Sequence, residues 1–150
     1  MTFGQLMKQR VFFINFLTLQ LAWASSHYCY YLIGYYIKYI PGNIYEATVV
    51  SAIAEFVACL SSGFIINKLG PQLTNMVSFF VSGAFGLCMV FTPPHQTTLI
   101  LVWLLLTKFG VSTAASICYV TTPYYFPKNS ISQVFGYLAA IGKFISLLAP

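Results

Sequence analysis

Two glutamates, Glu46 and Glu55, are the whole acidic complement of this 150-residue chain, which has no aspartate. Glu55 falls about midway along an apolar stretch. An ionised carboxylate at such a position costs on the order of 3 kcal/mol on insertion scales, so it faces either a cavity or a partner charge. It therefore reads as a cation or proton site on a translocation path, or as half of an ion pair with a lysine on a neighbouring helix. Lys143 lies one or two turns into another apolar stretch with no acid nearby. It is a candidate for holding an organic anion, for pairing with Glu55, or for snorkelling to the headgroups. Lys108 begins the central stretch of the fourth apolar segment and reads as an interfacial anchor. Tyr30, Tyr31, Trp23 and Phe56 could offer ring faces to a planar organic ion, although packing or lipid contact would account for each one singly.

Other chemistry lacks its residues. His27 and His95 are far apart, and Cys29, Cys59, Cys88 and Cys118 form no C-x-x-C pair, so no metal site is expected. There is no H-E-x-x-H, Walker loop or G-x-S-x-G. The chain reads as a non-enzyme without a cofactor, and its histidines as structural or interfacial.

The setting of these residues is lipid. The chain is 59% hydrophobic and only 6% charged, against roughly 25% charged in soluble domains. The net charge of +5 comes from single, scattered lysines and one arginine. With no basic stripe, nucleic acid is not an expected partner.

Five apolar segments are bounded, at about residues 11–36, 45–66, 73–91, 99–120 and from 131 to the chain end, each near the roughly 20 residues a span needs. Pro41-Gly42-Asn43, Asn67-Lys68-Leu69-Gly70-Pro71, Pro93-Pro94-His95-Gln96 and Pro127-Lys128-Asn129-Ser130 separate them. The basic start, MTFGQLMKQR, reads as the flank of a retained first helix rather than a cleaved signal. Runs this long and continuous predict helices, not barrel strands. The expected fold is an all-α membrane protein of about five transmembrane helices, with successive helices antiparallel.

Lys8, Arg10, Lys68 and Lys128 fall on the side of the N-terminus and Lys38 on the other, which predicts a cytoplasmic N-terminus. Tyr28, Tyr30, Tyr31, Tyr35, Tyr36, Tyr39 and Tyr45 crowd the outer end of the first hairpin, as an interfacial belt or as a ligand wall. Gly110/Ala114, Ser82/Gly86 and Gly136/Ala140 have the four-residue spacing of close helix packing.

One loop carries a resemblance. Gly63-Phe64-Ile65-Ile66-Asn67-Lys68-Leu69-Gly70-Pro71-Gln72 is similar to the cytoplasmic motif G-x-x-x-D-R-x-G-R-R of major facilitator superfamily transporters, through Gly63, Asn67, Lys68 and Gly70. Pro41-Gly42-Asn43-Ile44-Tyr45 resembles the G-G-N-I-Y turn of the organic-ion branch. Ser51-Ala52-Ile53-Ala54-Glu55-Phe56 resembles its S-G-L-V-E-F segment, and Lys108-Phe109-Gly110-Val111-Ser112 its K-F-G-I-(S/T) helix start. Thr122 to Pro127 is similar to T-A-E-L-F/Y-P, and Gly142 to Pro150 to the eleventh helix with R-V-G-S-I-L-A-P. The whole chain, 1–150, thus resembles a partial C-terminal transmembrane domain, helices seven to eleven.

The resemblance implies a secondary transporter for small organic ions working by alternating access. It places Glu55 and Lys108 near the cavity, and puts Lys143 where anion-carrying members have an arginine. The chain departs from the family pattern where Asn67, Pro71, Gln72 and Tyr124 replace charges, so gating by salt bridges is not expected. Five spans against twelve lead to the expectation of an incomplete transporter. Its expected partners are membrane lipid, a small organic ion, and a missing N-terminal half or another membrane subunit. The plasma membrane is favoured over an organelle. The alternative is a transporter-derived structural or accessory subunit of a larger membrane complex.

Overall fold

The computed structural model describes residues 8–40 and 42–147. The expectations for residues 1–7, Pro41 and residues 148–150 lie outside the described residues. Five helices follow in order: α1 (Arg10–Tyr36), α2 (Ile44–Leu69), α3 (Pro71–Phe91), α4 (Thr97–Tyr125) and α5 (Ile131–Ser146), with short 3-10 turns at Ile37–Tyr39 and Lys128–Ser130. No strand occurs among the described residues. Three helices, α2, α3 and α4, are long and apolar enough to cross a membrane. The chain is an all-α integral membrane protein.

Helix ends follow local chemistry. The Asn43 side chain accepts the Tyr45 backbone N–H at 3.1 Å and caps α2, and Glu46 sits in its first turn, where the helix dipole favours a negative charge. α2 runs further than the sequence reading placed it. Asn67, Lys68 and Leu69 belong to its last turn rather than to a loop, and Gly70 alone makes the break, at φ 78° and ψ 162°. Pro71 then opens α3 at a position where a missing N–H costs nothing. α4 also outruns its expected end, carrying Pro123 near its C-terminus and stopping at Phe126.

α4 is the axis of the bundle. It packs on α1, α2 and α3, while α5 lies mainly against α1. Where α3 meets α4 the backbones nearly touch. A Cβ on Gly110 would lie 2.8 Å from the Ser78 carbonyl oxygen and 2.9 Å from the Ser82 nitrogen. Ala114, fully buried one turn on, continues this seam. The predicted Gly136/Ala140 pair is not such a seam, because both residues are exposed. On α5 it is Gly142 that approaches a neighbour: a Cβ added there would lie 3.8 Å from the Trp23 carbonyl oxygen.

Hydroxyls in the packed faces bond back to carbonyls of their own helices: Thr74 to Gly70, Ser78 to Thr74, Thr107 to Trp103, Thr113 to Phe109 and Thr122 to Cys118, at 2.6–2.8 Å. Small polar residues can therefore line tight contacts in lipid without orphaned groups. Opposite faces carry exposed apolar side chains such as Phe56, Leu60 and Phe64 on α2 and Met76, Phe80 and Val90 on α3. Such apolar surfaces suit a bilayer, which offers no water to avoid.

Candidate functional site: a charged cluster between three helices

Glu55 has a different neighbour from the one its sequence surroundings suggest. The Tyr30 hydroxyl, reaching from α1 to α2, donates to both carboxylate oxygens, at 2.8 Å to Oε1 and 2.9 Å to Oε2. Lys108 of α4 places its Nζ 3.5 Å from the centre of the Tyr30 ring. Lys108 is 3% exposed, so it is a buried cation and not an interfacial anchor. Three helices thus assemble a cation, an aromatic ring with its phenol, and a carboxylate in one line. The Tyr30 ring offers its negative face to the ammonium while its hydroxyl serves the carboxylate. Opposite charges bridged in this way offset part of the cost of keeping either one away from water.

The cluster borders a cavity of about 260 Å³, lined by His27, Tyr30, Tyr31, Glu55, Cys59, Ser112, Ala115, Ser116 and Tyr119. Ser112 is 3% exposed, and its hydroxyl has no partner among the described residues. A buried hydroxyl without a partner at the wall of a polar cavity is what a ligand or water would satisfy. Tyr31, Cys59 and Tyr119 are exposed at the cavity mouth. In hydrocarbon such a mouth requires water or another protein surface over it.

Sequence reasoning missed His27, Cys59, Ser112, Ser116 and Tyr119. A signal for them exists in the helical spacing: Glu55 and Cys59 are four apart, as are Ser112 and Ser116, with Tyr119 three further on. These polar stripes interrupt otherwise apolar helices and converge on one cavity. His27 stacks on Trp23 with ring centres 5.0 Å apart, and its Nδ1 lies 2.9 Å from the Trp23 carbonyl oxygen.

The other candidates fall elsewhere. Lys143 is exposed on α5 and lines a separate cavity of about 530 Å³ with Tyr31, Tyr35, Ala140, Phe144 and Ser146. The structure groups Glu55 with Lys108, not with Lys143. Among the described residues, Tyr31 alone borders both cavities. Trp23 is fully buried in the core with Leu19, Cys118, Phe126, Val134 and Leu138, so it is not a cavity wall. Phe56 is 66% exposed on the outer side of α2 and lines no part of this cavity, although it is one residue from Glu55. Among the loop-motif residues, Gly63, Asn67 and Lys68 are exposed on α2, and Gly70 makes the turn. The tyrosine cluster divides: Tyr39 and Tyr45 are more than three-quarters exposed, as a belt would be, whereas Tyr30 turns inward to the cluster.

The chain is similar to named transporters. It is 23% identical over 146 residues, 97% of its length, to a Caenorhabditis elegans protein named as a transporter. It is 26% identical over 111 residues, 74% of its length, to the human organic cation/carnitine transporter 2. The chain spans 30% of the first of these relatives and the alignment 20% of the second. No family model matches. Both similarities are to transporters, and they support a transport role.

Proposed function

We propose that this chain forms part of a secondary transporter for small organic ions, with the Glu55–Tyr30–Lys108 cluster as its binding site. The observation that carries the proposal is the bridged cluster itself: a carboxylate and an ammonium held by one tyrosine at the wall of a polar cavity inside an otherwise apolar bundle. A structural ion pair would need no cavity and no unpartnered Ser112 hydroxyl. An organic cation entering beside Tyr31 and Tyr119 would meet ring faces and then Glu55, whose bond to Tyr30 it would compete for.

The human relative is named for organic cations and carnitine. Carnitine is a zwitterion, and a dipolar substrate suits this layout: its cationic end toward Glu55, its carboxylate across Tyr31 toward Lys143. In this proposal the bundle corresponds to helices seven to eleven of a major facilitator C-terminal domain, with the N-terminus cytoplasmic and the plasma membrane as its site. The open cavity mouth is covered by a second helical bundle, and alternating access is the rocking of one bundle against the other.

The test is binding of tetraethylammonium to the purified chain in lipid nanodiscs. Saturable binding that Glu55→Gln weakens at least about tenfold, the worth of one lost charge contact in a wet site, supports the reading. Unchanged affinity in Glu55→Gln sinks it.

A further inference from the structure

A further cavity, of about 230 Å³, lies where the first halves of α1 and α3 meet the end of α4. It shares no lining residue with the Glu55 cavity. Asn15 on its wall comes twelve residues before His27 on α1, about 18 Å along the helix. Six of its side chains can hydrogen-bond: the amides of Asn15, Gln72 and Asn75, the hydroxyls of Thr18 and Thr121, and the Tyr125 phenol. Leu19, Ala22 and Ile117 add an apolar side. Among the described residues, no acid, lysine, arginine or histidine lines it.

Two oxygens on this wall break the pattern of the bundle. Thr113 and Thr122 on α4 bond back to carbonyls of their own helix. Thr121 does not: it is 6% exposed, and its Oγ1 is enclosed with no partner among the described residues. On α3, Thr74 and Ser78 are satisfied in the same way, whereas the Asn75 Oδ1 between them is enclosed and unpartnered. An enclosed oxygen without a hydrogen bond carries a desolvation cost that a donor removes. The Thr121 hydroxyl can donate or accept, but the Asn75 Oδ1 can only accept, so the missing group must bring an N–H or O–H. A carboxylate has none to bring, and an organic cation would find no counter-charge on this wall.

We propose that this cavity is a binding site for a small uncharged carboxamide, separate from the organic-ion site and independent of that reading. A carboxamide carries an N–H and a C=O side by side. Its N–H satisfies the Asn75 Oδ1, and its C=O accepts from the Thr121 hydroxyl. Its apolar body lies against Leu19, Ala22 and Ile117. The volume falls below the roughly 300–1,000 Å³ of drug-sized sites, so the ligand is small. Pro71, Gln72 and Tyr125 also line an outer hollow of about 380 Å³, which gives an entry beside the break between α2 and α3. Bound there, the ligand bridges α1, α3 and α4 and stabilises the bundle by mass action.

Benzamide, benzoate and benzylammonium have one ring and nearly one size but differ in charge, and they serve as probes. With the purified chain in lipid nanodiscs, and empty nanodiscs as the blank, equilibrium dialysis should show saturable benzamide binding. Neither charged analogue, nor tetraethylammonium, should displace it. Thr121→Val keeps the side-chain shape and removes the hydroxyl. That hydroxyl has no bond to lose, so the thermal midpoint without ligand should hold or rise. Benzamide should nevertheless bind about threefold to tenfold more weakly, the worth of one neutral hydrogen bond. Asn75→Leu should weaken it at least as much, and if that variant does not fold, Thr121→Val carries the test. Absence of saturable benzamide binding overturns the proposal and leaves a cavity for water. Displacement by any of the charged probes overturns the separation from the organic-ion site. Wild-type affinity in either folded variant, or a Thr121→Val protein that loses stability, assigns these oxygens to the fold and overturns the site.

Discussion

α4 has two working sides built on opposite principles. Toward α3 it is a dry seam in which Gly110 leaves no room for a methyl group beside Ser78 and Ser82. Toward α1 and α2 it presents Ser112 and Ser116 to a cavity bounded by a carboxylate, a histidine and three tyrosines, and sets Lys108 against the ring of one of them. The first side buries hydroxyls that are satisfied within their own helices. The second leaves a buried hydroxyl unsatisfied and holds charge. In lipid, where apolar side chains gain little by meeting one another, close backbone contact supplies the cohesion. That cohesion is what lets the other side bear the cost of an incompletely paired polar site.

The largest predicted effect lies on the dry side. Gly110→Leu cannot be accommodated between two backbones and should abolish the folded bundle, while Gly110→Ala should cost about 1–3 kcal/mol, the usual price of overpacking. Unfolding by denaturant in detergent measures both, and the surviving Gly110→Ala protein should bind tetraethylammonium with unchanged affinity. Reduced affinity at unchanged stability would break the division between the two sides.

On the polar side, Lys108→Met removes the cation that competes with a ligand cation and should raise tetraethylammonium affinity about tenfold, by the worth of one nearby charge. Combining it with Glu55→Gln removes both charges, so neither is left buried and unpaired. This double variant should be folded and bind the cation at least about tenfold more weakly than Lys108→Met alone, as calorimetry would report. Affinity equal to that of Lys108→Met alone would reduce the cluster to a structural pair.

A smaller change is expected for Tyr30→Phe. It keeps the ring under Lys108 but deletes the hydroxyl that bonds Glu55, at about 1.5–3 kcal/mol for a bond to a charged group, less the share water restores in a cavity. The thermal midpoint should drop modestly while cation affinity holds or rises, since the carboxylate is released.

The mildest change is predicted for Lys143→Ala. Its side chain is exposed on α5, so the fold should tolerate its loss and tetraethylammonium binding should not move. Benzoate or a zwitterion should bind several-fold more weakly, as expected for one charge at a wet site. No change in carboxylate binding would remove Lys143 from the site and leave the Glu55 side alone.

Much of the fold was legible in the chain. Pro, Gly and Asn at the breaks, long apolar runs between them, and an acidic complement of two glutamates together dictate a five-helix membrane protein; three of the helices are long and apolar enough to cross. Helix ends were less so. Asn67 to Leu69 look like loop residues, but a helix continues through them until Gly70, whose backbone alone leaves the helical region. Of the site, Glu55 announced itself through the cost of a mid-span charge, and Tyr30, Tyr31 and Lys108 were named with it. His27, Cys59, Ser112, Ser116 and Tyr119 were not, because one polar residue per turn in a long apolar helix is as common in packing as in binding.

What the sequence alone determined is therefore the solvent, the number of helices, their breaks, and the presence of one carboxylate in need of a partner. What only the tertiary structure decided is rotation: that Lys108 and not Lys143 is grouped with Glu55, that Phe56 faces outward while its neighbour faces the cavity, and that Trp23 is core. The physical reason is that lipid is as apolar as a protein interior. A helix buried on one face and lipid-exposed on the other is hydrophobic all round, so its periodicity cannot say which face turns inward. Packing between the helices fixes that phase, as the Gly110 seam does between α3 and α4, and with it the company that Glu55 keeps.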